Sequence, residues 1–314
     1  MTTTSPPSPG SPPPVSLEAL SRRDGRTAVD QLVHRVLGAA GTIAIVISLL
    51  IVFVLLRDAL SFVSQTSLQE LGADVWRPRS NEFGVLSPFI GTIWVTLIAA
   101  VLAAPIGLGA AIYLSEYASP RVRRVVKPVV EILASIPSVV IGVFAFRFIA
   151  PELTQKLFSG SPTLNLLVAG IGVGLLCIPL MTSVSEDALR AVPTSLREAS
   201  YGIGAKKIQT VVRVVVPAAI SGLVAGVILT ISRAVGETMV VFLAAGGTPS
   251  RPDGPLDPGM TITSAMTGVL SGSDQQAGGK AYESVFFLGF LLFMLTLSLN
   301  MVANRFVRRV RQTY

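Results

Sequence analysis

The sequence predicts an all-α, polytopic membrane protein of six transmembrane helices. Hydrophobic residues make up 51% of the 314-residue chain, charged ones only 14%, and the mean hydropathy is +0.66, a balance that suits lipid solvation rather than one water-surrounded core. Six apolar stretches each reach the roughly 18 to 20 residues a helix needs to cross the hydrocarbon layer. Basic residues collect on alternate sides of these stretches, as a fixed membrane topology requires.

The first stretch, residues 36–56, is too long and too far behind a polar segment to be a cleaved signal peptide, so it is read as a retained helix that also targets the chain. The second, residues 90–114, carries Pro105, Gly107 and Gly109, and the third, residues 125–149, carries Pro137 and Gly142. The fourth, residues 164–181, has Gly170, Gly172 and Gly174 ahead of Pro179; the fifth and sixth are residues 218–245 and 285–302. Breakers at membrane depth are tolerated where neighbouring helices or a polar cavity satisfy the freed backbone, which suggests a bundle around a path. The same small residues also let helices pack closely with no transport role.

Residues 1–14, MTTTSPPSPGSPPP, contain nothing able to form a packed core, and residues 1–35 are expected to be a disordered cytoplasmic tail. Seventeen Lys and Arg lie on the side of the two termini against seven on the other, and Arg233 within the fifth span completes the total of 25. Both termini are therefore expected in the cytoplasm. The net charge of +7 is then a topology signal, and nucleic acid is not an expected partner. The outer loops, residues 57–87 with Trp76 and the Gly- and Pro-rich residues 246–283, read as solvated connections or as contacts for an external partner.

One cysteine, Cys177, and one histidine, His34, exclude a disulfide framework and a histidine/cysteine metal site. No Gly-x-x-x-x-Gly-Lys-Ser/Thr loop is present, so the chain supplies no phosphate cradle for ATP. Charge inside the fifth span is the informative exception. Arg233 and Glu237 are spaced i, i+4, so on a continuous helix they share a face and can pair. Ionised groups at that depth cost roughly 3 kcal/mol each on insertion scales and normally face a protein interior or a hydrated path. A guanidinium held there offers a planar donor to an anion in transit; the plain alternative is an ion pair that locks helix to helix. Glu131 is read as a partner for Lys127 or for a basic residue of a neighbouring subunit, and Thr182, Ser183 and Ser185 either meet an oxyanion or bond back to local carbonyls.

The longest cytoplasmic loop, residues 182–217, is too ordered in pattern for a linker. Pro193, Thr194 and Ser195 form a helix start, residues 196–201 a short amphipathic helix, and Gly202 and Gly204 its stop; helical spacing resumes at Ile208, Val211 and Val212 until Pro217. A short projecting helix with an apolar face docks on something. Within it Glu198, Ala199, Ser200, Gly204, Val214, Val216 and Pro217 match the loop signature of ATP-binding-cassette (ABC) importer membrane subunits, Glu-Ala-Ala, three residues, Gly, nine residues, Ile-x-Leu-Pro. The chain resembles that family, with Ser200 in place of the second Ala and Val in place of Ile and Leu.

The resemblance implies a type I ABC importer permease fold over residues 36–314, with loop 182–217 as its cytoplasmic coupling loop. It also implies that Glu198, Ala199, Ser200 and Gly204 contact a separate cytosolic ATPase dimer, which uses the ATP, and that the chain itself is no enzyme. YLSEYAS at residues 113–119, EILASIPSVVIGVF at 131–144 and SRAVGETMVVFLAAGG at 232–247 are similar to the phosphate-specific transport permeases, in particular their C-type subunit. That likeness implies phosphate passage at Arg233 and Glu237, a homologous second permease subunit, and an extracytoplasmic phosphate-binding protein, in a bacterial plasma membrane. The rivals are a sulfate or molybdate permease, a gradient-driven symporter in which Glu237 carries a proton, and a membrane sensor.

Overall fold

A computed structural model describes residues 24–272 and 279–310, and among these six helices are long and apolar enough to cross a membrane. Helix α1 is Asp24–Ser64. Residues 24–35, expected with the tail, are its first turns, because no proline interrupts the chain between Pro14 and Pro78. The rest of that expectation, residues 1–23, lies outside the described residues. Two units divide within α1. Residues 24–54 form the first and expose Leu32, Val36, Ile43, Ile47 and Leu50, the apolar surface of a helix solvated by lipid.

The second unit runs from residue 55. After a single turn, Leu68–Leu71, capped by Ser67, strand β1 (Trp76–Arg77) pairs antiparallel with β2 (Glu82–Phe83), Trp76 opposite Phe83. The turn between them uses Asn81 in the left-handed region at φ 58°, where Asn is among the tolerated residues. Phe62, Trp76, Phe83, Ile262 and Leu288 bury one another there, and Phe62 and Phe83 meet edge to face at 5.0 Å. Residues 57–87 thus carry a small aromatic core, while Leu68, Asp74 and Glu82 among them stay exposed.

Helix α2 (Leu86–Ile112) continues into a wider π turn, Tyr113–Tyr117. Helix α3 (Pro120–Ala134) follows, started by Ser119, whose hydroxyl accepts from the Val122 amide. The third span, predicted as one helix over 125–149, is broken. Ile136 precedes Pro137, a position that disfavours α geometry, and α3 caps at Ser135. The crossing helix instead begins with α4 (Ser138–Phe144) and runs on through a π segment, Ala145–Thr154, leaving α3 as a separate amphipathic helix. Its Val122, Val125, Val129 and Ile132 are exposed along one stripe.

Helix α5 (Leu166–Arg190) starts at Asn165, which caps the Val168 amide at 2.8 Å, and continues beyond the predicted end at 181. It lies along α2 by way of small residues: a Cβ on Gly170 or Gly174 would meet Ile98 or Leu102, and one on Gly107 would meet Met181. Helix α6 (Thr194–Gly202) is the projecting helix of the loop, and α7 (Val216–Val235) carries its Pro217 in the first turn. The helix was expected to stop at Pro217. It does not, because a proline in a first turn withholds no needed amide, and the π turn Val211–Val215 leads straight into α7. Then come α8 (Met239–Ala244), α9 (Ile262–Leu270) inside the Gly- and Pro-rich segment, and α10 (Lys280–Val310). Cys177 is fully buried in the core formed by α2, α5 and α8, a packing residue.

Gly91, on α2, gives the tightest approach to the α9 segment, since a Cβ there would stand 2.1 Å from the Met260 carbonyl oxygen. Gly91→Ala is predicted to cost about 3 kcal/mol through forced displacement of backbone. A thermal unfolding midpoint in detergent equal to that of the wild type would show that this contact yields freely.

Candidate substrate pathway and coupling site

Arg233 sits in the last turn of α7, exposed, on a cavity of about 320 Å³ lined also by Glu131 of α3 and by Leu176, Pro179 and Ser183 of α5. Three helices thus converge on one guanidinium. The fifth span, predicted as continuous over 218–245, ends at Val235, and Gly236 to Thr238 form a break before α8. Arg233 and Glu237 therefore do not share a helical face. Among the described residues no ion pair joins them, which corrects the expected pairing.

Glu237 is 9% exposed and holds the break together instead. Its carboxylate accepts from the Val240 amide at 3.4 Å, its carbonyl accepts from the Thr263 hydroxyl at 2.6 Å, and its own amide donates to Ala234 at 3.3 Å. A buried carboxylate with backbone partners is positioned to oppose the positive charge nearby without neutralising it by contact. Of the hydroxyls on α5, Thr182 bonds back to the Ile178 carbonyl at 2.8 Å and Ser185 lies against the Met181 sulfur, while Ser183 faces the Arg233 cavity.

At the loop, Glu198 and Ala199 are exposed on α6, whereas Ser200 is buried and shares a 2.9 Å hydrogen bond with Thr210. That bond fixes α6 to the turn ahead of α7. Gly204 turns the chain at φ +83°, open to side chains only with strain, so a glycine suits the stop. Tyr201, Ile203 and Ile208 stand exposed beside it, Ile203 at 87%, which is an apolar surface with no cover in this chain.

Two charge groups were not foreseen. Arg197 pairs with Glu116 at 2.9 Å and donates to the Val192 and Leu189 carbonyls at 2.6 and 2.8 Å, tying α6 to the end of α2 and to α5. Glu186, 1% exposed on α5, takes both Arg123 and Lys127 of α3, and Lys127 also reaches Asp187 at 3.3 Å. Of the two partners open to Glu131, Lys127 is thus engaged elsewhere, by Glu186 and Asp187 on another helix. Partial burial pulls the Lys127 pKa down, but the hydrogen bond to Asp187 and the charges of Glu186 and Asp187 outweigh it and leave the pKa above its ordinary 10.5. The folded state therefore gains from this ammonium at all pH below that ordinary value and loses the gain as pH rises through the elevated one. Glu186→Gln, which leaves two cations short of a buried partner, is predicted to cost about 2 to 3 kcal/mol. An unchanged unfolding midpoint at neutral pH would show the cluster to be dispensable.

Residues 103–312 match the family described as binding-protein-dependent transport system inner membrane component. The phosphate transport system permease protein PstC of Mesorhizobium japonicum is 31% identical to this chain over 314 aligned residues, covering 94% of each. PstC of Haemophilus influenzae is 32% identical over 290 residues, covering 84% of this chain and 91% of its own. Among solved structures, a bacterial alginate ABC transporter in complex with its alginate pentasaccharide-bound periplasmic protein aligns with a TM-score of 0.63 over 90% of this chain and 98% of its own, at 14% identity. At that identity the likeness shows the arrangement of helices alone.

Proposed function

Because the chain belongs to the family of binding-protein-dependent transport system inner membrane components, with the type I ABC importer permease fold, we propose that it is the C-type membrane subunit of an ATP-driven phosphate importer. Near full-length similarity to permeases named for phosphate transport carries the reading. It is a multi-pass inner membrane protein whose termini both lie in the cytoplasm. It pairs with a homologous second permease, receives phosphate from an extracytoplasmic binding protein, and docks a cytosolic ATPase dimer that does the hydrolysis.

Arg233 is the anion contact of the pathway. It is exposed on a cavity, free of ion pairs among the described residues, and able to give two parallel N–H donors to phosphate oxygens. Glu237 lowers the net positive potential from a short distance, so that an anion binds without being trapped. Closure of the ATPase pushes on α6 around Glu198, Ala199, Ser200 and Gly204. Because Arg197 ties α6 to both α2 and α5, the push moves those helices as a rigid body and switches the access of the cavity.

The reconstituted importer should take up labelled phosphate in an ATP-dependent way, and an excess of sulfate or molybdate should leave that uptake unchanged. Uptake displaced by either competitor, or driven by a proton gradient without ATP, would overturn the reading.

A further inference from the structure

A second cavity, of about 570 Å³, opens between the end of α2, the length of α3 and the last residue of α5, and is lined by Ser115, Arg123, Arg124, Lys127, Glu131 and Arg190. We propose that it is a binding site for a phosphate group, joined through Glu131 to the Arg233 cavity.

The lining divides in two. Arg123 and Lys127 are committed to Glu186 and Asp187. Arg124 and Arg190 are exposed, and among the described residues neither has an ion pair, so two guanidinium groups stand uncommitted in a cavity whose one lining carboxylate is Glu131. Planar guanidinium groups are the side chains best matched to a tetrahedral oxyanion, and two of them hold one bidentately from two sides.

Glu131 lines this cavity and the one that holds Arg233. An anion passing from Arg233 towards Arg124 and Arg190 therefore passes a carboxylate. That negative charge weakens retention at both stations, which a conducting path needs, since binding that is too strong blocks exit. The chemistry recognised is the phosphate group, and it has two sources. Free phosphate reaches the cavity along the import path and rests on the function proposed above. A phospholipid headgroup reaches it from the membrane surface, where the exposed apolar stripe of α3, Val122, Val125, Val129 and Ile132, suits an interfacial helix.

The test uses the complete transporter in phosphatidylcholine nanodiscs, carrying Arg233→Gln so that the mid-membrane contact is silent, titrated with radiolabelled inorganic phosphate in the absence of the external binding protein. Adding Arg124→Gln with Arg190→Gln should weaken binding by about tenfold or more, whereas adding Glu131→Gln should tighten it several-fold. The Glu131→Gln arm stands even if the double substitution fails to assemble. Phosphatidylglycerol that displaces the label identifies a headgroup site, and label that stays bound identifies free phosphate. Binding unaltered by the double substitution, or unaltered by Glu131→Gln, overturns the site and leaves the import reading intact. Phosphate uptake driven without ATP would overturn the import reading and leave this binding result standing.

Discussion

Arg233→Gln should abolish phosphate uptake while the importer still assembles and still docks its binding protein. Glutamine keeps most of the length of the side chain and its hydrogen-bonding ability but removes the charge, and the position is exposed on a cavity rather than packed, so folding has little to lose. The charge-assisted donors to an anion are each worth about 1.5 to 3 kcal/mol. Losing a bidentate pair of neutralised contacts then costs about 3 kcal/mol, on the order of a hundredfold in uptake rate. Arg233→Lys keeps the charge without the planar fork and should fall between the two. ATP-driven uptake into proteoliposomes, normalised to assembled complex, reads all three. Wild-type rates in Arg233→Gln would remove the anion contact from the account.

The second large effect belongs to α6, the helix proposed to couple the ATPase to transport. Gly204→Asp places a side chain at φ +83°, a backbone region costing an L-residue roughly 1 to 2 kcal/mol, on the surface beside exposed Ile203. Glu198→Lys reverses an exposed charge on the same helix. Both should separate ATP hydrolysis from uptake, either by leaving an ATPase that turns over without transport or by releasing it from the membrane. Arg197→Met should give the same defect by a different route, since it frees α6 from Glu116 and from the carbonyls of Leu189 and Val192 while leaving the docking face unaltered. Paired assays of hydrolysis and uptake decide it. Tight coupling retained in all three variants would make the loop a mere connector.

The contrast between these two sites shows what was legible beforehand. Helix α6 could be read from residues 193–204 because its start, its amphipathic turn and its glycine stop are all local, and Thr194–Gly202 with Gly204 at positive φ is what forms. Arg233 was legible as an anomaly of charge in an apolar run. Its relation to Glu237 was not, because the i, i+4 rule presumes a continuous helix and the chain breaks at Gly236. That break is stabilised by Thr263 of α9, a partner 26 residues away.

The sequence by itself determined the all-helical class, the six apolar spans and the place of the short helix within residues 182–217. Each depends on composition, length or spacing within a few turns, and those survive whatever the helices pack against. Only the tertiary structure decided that α3 is clamped by Glu186, that Arg197 reaches Glu116, and that Glu131 opens onto two cavities. Arg123 and Glu186 are 63 residues apart in the chain, and Glu116 and Arg197 are 81 apart. Charges so distant become partners only when packing of α2, α3 and α5 sets their separation, and no periodicity along one strand of sequence encodes that distance.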